Sequence, residues 1–224
     1  MTALDWFFVA VVAVLLLVGL GLTLWLLVVA YRSSGRQVAE TTRVLWEWAR
    51  ERGWTYQSQL RGSTRRLPGE PFVSALGRRW ERHVLTGTHR GHPARAFEHQ
   101  FLRRYGVDRY LVVTISVPGP GDLEVRPARD LLMSALSPSR WRCGDEAFDR
   151  GFWIRAEPRI AQSLLTPEVR RWLCADDRTE RLPFRFEGAK LVCWALVEIT
   201  PEWVMAMTDF LADVADRVPS DVWR

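Results

Sequence analysis

Residues 83–101 read HVLTGTHRGHPARAFEHQF and hold all four histidines of the chain. With Arg90-Gly91 as a two-residue turn, the flanks become two strands of one hairpin. A tight turn of this kind joins antiparallel strands only, so this stretch sets the fold class. The register then places His89 opposite His92, Leu85 opposite Ala96 and His83 opposite Glu98. His99 falls opposite Arg82 and on the other side, because faces alternate along a strand. His83 and His89 share a face but stand about 20 Å apart along it. Four histidines around one metal are incompatible with this hairpin. No cysteine or carboxylate cluster supplies the missing ligands for His89 and His92. The expectation is no metal and no cofactor.

Outward from the hairpin, the same alternation recurs. Residues 54–57 read as a strand. Residues 110–117, YLVVTISV, are apolar and β-branched and read as a central strand, closed by Pro118-Gly119-Pro120-Gly121. Short strands follow at 123–125 and 152–156, and a second hairpin at 184–186 and 191–196 turns at Glu187-Gly188. Helices fall between. One covers 129–136 and another 158–165. Thr166-Pro167 and Thr200-Pro201 each place an N-cap before a proline at the first helical position, opening helices to 174 and to about 217. On the last helix Trp203, Met207, Phe210 and Val214 recur at core spacing. Hairpins interleaved with helices predict an α+β domain, an antiparallel sheet with helices packed on it. The glycine-, proline- and arginine-rich stretch 61–71 reads as a loop.

The N-terminus is different in kind. Residues 6–31, WFFVAVVAVLLLVGLGLTLWLLVVAY, carry no charge. As a helix they would extend about 39 Å against a hydrocarbon core of about 30 Å. The expectation is one transmembrane helix, with Trp6 and Tyr31 at the headgroup layers. A cleaved signal peptide fits less well, because only Asp5 is charged before the run and the run is too long. Arg32, Arg36 and Arg43 follow it and no basic side chain precedes it, so the positive-inside rule puts the C-terminal side in the cytoplasm. The expected organisation is an extracytoplasmic 1–5, a transmembrane 6–31, a juxtamembrane 32–53 and a cytoplasmic α+β domain at 54–224, in the plasma membrane. Ser33-Ser34-Gly35 is expected to break the chain before a helix at 37–52. Cys143, Cys174 and Cys193 show no metal or disulfide spacing and read as thiols of a reducing compartment.

Charge is uneven. Residues 61–109 hold eleven arginines against Glu70, Glu81, Glu98 and Asp108, while residues 110–224 hold fifteen basic against eighteen acidic side chains. The basic stretch Arg61, Arg65, Arg66, Arg78, Arg79 and Arg82 is the candidate contact for an anionic lipid surface. Nucleic acid fits less well, because aromatic side chains are sparse among these arginines. No phosphate-binding loop, dinucleotide fingerprint, zinc-protease motif or nucleophile elbow is present. Asp176-Asp177 reads as a turn, and Asp145-Glu146 lies in a loop beside Cys143. The reading is a non-enzymatic, membrane-tethered interaction module with a protein partner. The alternatives are anionic-surface binding and an enzyme of unidentified type.

The strings FWIRAE, LLTPEVRRWL and FRFEGAKLVCWAL, with the earlier VLTGTHRGHPARAFEH and the closing DRVPSDVW, resemble a family of uncharacterised, actinobacterial-like membrane-anchored proteins. The resemblance rests on Phe152, Leu164-Leu165-Thr166-Pro167, Phe184, Phe186, Gly188 and Leu191, and spans most of 54–224. It implies a shared fold and a membrane address, and assigns no catalytic or binding residue.

Overall fold

The computed structural model describes residues 3–61, 72, 80–103, 106–119, 121–128 and 140–223. In the N-terminal helix it describes the side chains of 16–26 and 38–51. The chain forms two compact units, Met1–Val44 and Leu45–Arg224. The expected helix at 129–136 and nearly all of the expected loop at 61–71 lie outside the described residues.

The first unit is helical. Helix α1 runs without interruption from Ala3 to Glu51. It passes through Ser33-Ser34-Gly35, where a break was expected. Two serines and one glycine cost a helix about 1 kcal/mol or less each, and no proline removes a hydrogen bond, so propagation from both sides carries through.

In the second unit, eight antiparallel strands form one sheet: β1 (Thr55–Arg61), β2 (Trp80–His89), β3 (His92–Arg103), β4 (Gly106–Ser116), β5 (Leu123–Pro127), β6 (Phe152–Ala156), β7 (Phe184–Glu187) and β8 (Lys190–Ala195). Their order is β1-β2-β3-β4-β8-β7-β5-β6, so the apolar β4 is central as its composition requires. Helices α2 (Glu146–Gly151), α3 (Pro158–Leu164), α4 (Pro167–Ala175) and α5 (Pro201–Arg217) complete the α+β fold.

One face of the sheet carries the main core. Leu85, Ala96, Leu111, Val113, Cys193, Phe184 and Phe186 point to it. Phe210, Met207 and Leu211 of α5 meet them, and Leu45, Trp48 and Ala49 close it from the last turns of α1. Thr166 and Thr200 accept hydrogen bonds from the backbone N–H of Val169 and Trp203, which starts α4 and α5 at the expected residues.

The decisive hairpin turns at Arg90-Gly91, with φ of 48° and 83°. Two positive φ values are the turn geometry that matches strand twist. His89 faces His92 and Leu85 faces Ala96, as read from the sequence. Beyond Leu85 the register differs. A bulge lies between Arg82 and Leu85, Arg82 faces Glu98, and Glu81 faces His99. Its extra residue is His83, whose φ of 51° lies in the left-handed region. Two residues of β2 thus oppose one of β3, which moves the pairing by one position.

Candidate interaction surfaces

The apolar stretch of α1 is one surface. Consecutive helical residues are rotated by about 100°, so Leu16, Leu17, Val18 and Leu20 already sample every side. All are exposed, and exposure runs from 69% at Leu16 to 51% at Leu26. A helix apolar all round belongs inside a larger apolar phase. Among the described residues no helix is long and apolar enough to cross a membrane. Thr23 donates its hydroxyl to the Leu20 carbonyl at 2.8 Å.

The second surface is the end of the sheet where β1 and β3 finish and β2 and β4 start. Arg61 ends β1 opposite Trp80, and Arg103 ends β3 opposite Gly106. Arg82 is half-buried opposite Glu98, and Arg109 is exposed opposite Gln100. Arg82, Glu98, Gln100 and Arg109 share one face, because each stands an even number of positions from its neighbour or directly across from it. Glu98 is buried and accepts a hydrogen bond from Gln100 Nε2 at 2.9 Å. His83 Nδ1 and the Tyr56 hydroxyl are hydrogen-bonded at 2.8 Å. Burial lowers the His83 pKa from its ordinary 6.5; Glu98 opposes the shift, and Arg82 and Arg109 add to it. Of the six arginines singled out in the sequence, the structure therefore places Arg61 and Arg82 at one sheet end. Arg65, Arg66, Arg78 and Arg79 lie outside the described residues.

The third feature was not read from the sequence. On the far face of the sheet, charged and aromatic side chains alternate with the core residues. Arg95 pairs with the fully buried Glu81. Glu124, also buried, holds Arg126 on one oxygen and Arg155 on the other. Arg185 donates to Glu187 at 2.9 Å and lies over Phe72 and Trp194. Arg126 lies over both Trp153 and Trp194. Burial lowers the Arg185 pKa and raises that of Glu187. Glu81 and Glu124 are buried, so removing an arginine partner would leave a buried charge poorly compensated. The signal was present in the strings LEVRP, FWIRA and FRFE, where a charge or tryptophan occupies every second position.

The histidines go separate ways. His89 Nε2 meets Asp209 of α5 at 2.7 Å, His92 Nδ1 donates to the Ser116 carbonyl at 3.2 Å, and His99 packs on Phe72. Arg90 at the turn reaches Asp213 and Asp216, so the hairpin tip is tied to α5. Asp176, expected in a turn, caps a short 3-10 helix and pairs with Arg178 at 2.6 Å, and Arg178 also reaches Asp213 at 2.7 Å. Asp145 caps α2. A cleft of about 480 Å³ is lined by Phe152, Leu173, Cys174, Arg150 and Glu180 among others. Burial raises the Cys174 pKa, with Asp145 and Cys143 adding, which is the reverse of what a thiolate nucleophile needs.

No family model matches the chain, and no curated protein matches it. Among solved structures it is similar to the crystal structure of the mycobacterial trehalose monomycolate transport factor A, TtfA. The TM-score is 0.50 at 15% identity, over 80% of this chain and 98% of that one. At this identity the likeness concerns the fold alone.

Proposed function

We propose that the protein is a single-pass, membrane-tethered interaction module without catalytic activity. Its N-terminus lies outside and its α+β unit lies in the cytoplasm, where it engages a protein partner. The observation that carries this reading is the all-round apolar, exposed stretch of α1 at 16–26, continuous in one helix with the turns that enter the core at Leu45, Trp48 and Ala49. The structural neighbour is itself designated a transport factor, which agrees with a non-enzymatic role. The orientation is tested by fusing to the C-terminus a reporter active only in the cytoplasm or one active only outside. The cytoplasmic reporter alone is expected to work; activity of the outside reporter alone overturns the orientation.

A second reading, contact with an anionic membrane surface, is favoured by the gathering of Arg61, Arg82, Arg103 and Arg109 at one sheet end. Full-length chain held in neutral-lipid vesicles should then cluster with anionic vesicles, and salt should abolish the clustering because exposed charges are screened within about 10 Å at 0.1 M. Vesicles that stay apart at low salt reject this reading.

A further inference from the structure

Two of the four arginines at this sheet end, Arg82 and Arg109, differ from those on the far face. Among the described residues, neither Arg82 nor Arg109 makes an ion pair or side-chain hydrogen bond, whereas Arg95, Arg126, Arg155 and Arg185 are each held by a carboxylate. They flank β3 from β2 and β4 on the same side of the sheet. With strands about 4.8 Å apart and about 3.4 Å per residue, their Cα atoms stand about 12 Å apart. At that separation two arginine side chains are long enough to reach one small anion between them. Glu98 lies between them, but its carboxylate is buried and engaged by Gln100. Two cations against one buried anion leave one positive charge uncompensated. His83, next to Arg82 in the chain and at the bulge of β2, adopts a left-handed backbone and feels the charges of both arginines.

We propose that Arg82 and Arg109 form a binding site for a phosphate-type oxyanion, and that the buried His83 senses its occupancy. Guanidinium forks match phosphate oxygens in geometry and charge. The groups that face His83 are Tyr56 from β1, Arg82 from its own strand, Glu98 from β3 and Arg109 from β4. Two of these are cations that resist a charge on the imidazole. An anion seated between them offsets that resistance, so binding and protonation of His83 favour each other. The ligand is either free phosphate or the headgroup of an anionic lipid. The site rests on the anionic-surface reading for that class, yet soluble phosphate tests it with no membrane involved.

The test is histidine NMR on the full-length chain in neutral detergent, with His83 assigned by its loss in His83→Gln. Inorganic phosphate replaces chloride at constant ionic strength. The His83 titration should move up by about one pH unit, the effect of one nearby opposite charge. Arg109→Gln, at an exposed position, should abolish the shift, and Arg155→Gln, on the far face, should keep it; unchanged His89 and His92 signals show that each variant is folded. A second arm replaces phosphate with anionic phospholipid in bicelles. A shift with phosphate alone assigns the site to the free ion and stands even if vesicle clustering fails. A shift in both arms, or with the lipid alone, assigns it to a headgroup. No shift in either arm, a shift that survives Arg109→Gln, or a shift produced only by an acidic peptide overturns the proposal.

Discussion

Gly87→Ala is the smallest change with a large expected effect. Gly87 stands opposite Ala94 on the core side of the hairpin, and a Cβ there would lie 2.3 to 2.5 Å from the Trp54 ring atoms Cγ, Cδ2 and Cδ1. Real side-chain contacts do not come that close, so the indole must move. It has little room. Trp54 is buried, its ring packs edge-on against Trp48 at 5.5 Å, and its backbone N–H is bonded to the Ala49 carbonyl at 2.8 Å. Pushing it aside disturbs the seat of α1 on the sheet. Overpacking of this kind costs about 1–3 kcal/mol, and a clash at the root of a ring belongs at the upper end. For a domain of this size about 2.5 kcal/mol lowers Tm by roughly 5–10 °C. The measurement is thermal unfolding of the full-length chain by tryptophan fluorescence and near-UV circular dichroism. Trp54→Phe should be destabilising alone yet recover part of the loss in the Gly87→Ala background. A Tm change under about 2 °C, or no recovery in the double variant, would refute the packing argument.

Because the folded pKa of His83 lies below its ordinary 6.5, the unfolded chain binds more protons between those two values. Stability should therefore fall as pH drops below 6.5 toward the folded pKa, and His83→Gln should flatten that slope in urea titrations. Asp176 and Asp213 behave oppositely. Hydrogen bonding to Arg178 holds Asp176 low; burial pushes Asp213 up, but bonds from Arg90 and Arg178 more than offset it. The stability they contribute is present above the ordinary carboxylate range and is lost as pH falls through their lowered values. Arg178→Ala should remove part of that acid sensitivity and cost about 1 kcal/mol in near-neutral urea titrations, a modest figure because the group is partly exposed. Thr166→Ala and Thr200→Ala should each cost about 1 kcal/mol in denaturant titrations through loss of an N-cap.

Local signals carried most of the elements. Arg90-Gly91 between alternating flanks gave the hairpin turn, and the threonine–proline pairs gave the starts of α4 and α5, because each depends on a few neighbouring residues. The bulge at His83 was not legible. A one-residue shift in pairing is chosen by what covers both faces of the strand, and that information lies elsewhere in the chain. The strand order was hidden for the same reason. Glu124 meets Arg185 only because β5 lies beside β7, a pairing between residues 61 positions apart, so the far-face network could be seen one strand at a time but not assembled. The sequence drew attention to the arginines of 61–82, whereas the structure sets Arg82 and Arg109 apart from the carboxylate-held Arg95, Arg126, Arg155 and Arg185. Arg109 lies outside that run and joins Arg82 only through the register of β3 with β4.

In the proposed tether, the apolar stretch of α1 holds the protein in a bilayer. Alkaline carbonate extraction of membranes containing the full-length chain tests it most directly, since carbonate strips proteins held by charge or by partners but leaves those inserted in lipid. The chain should stay in the membrane pellet, and replacing Leu17, Leu20 and Leu24 with lysine should release it, because each buried lysine costs about 3 kcal/mol at the centre of a span. Release of the unmodified chain by carbonate would contradict the tether.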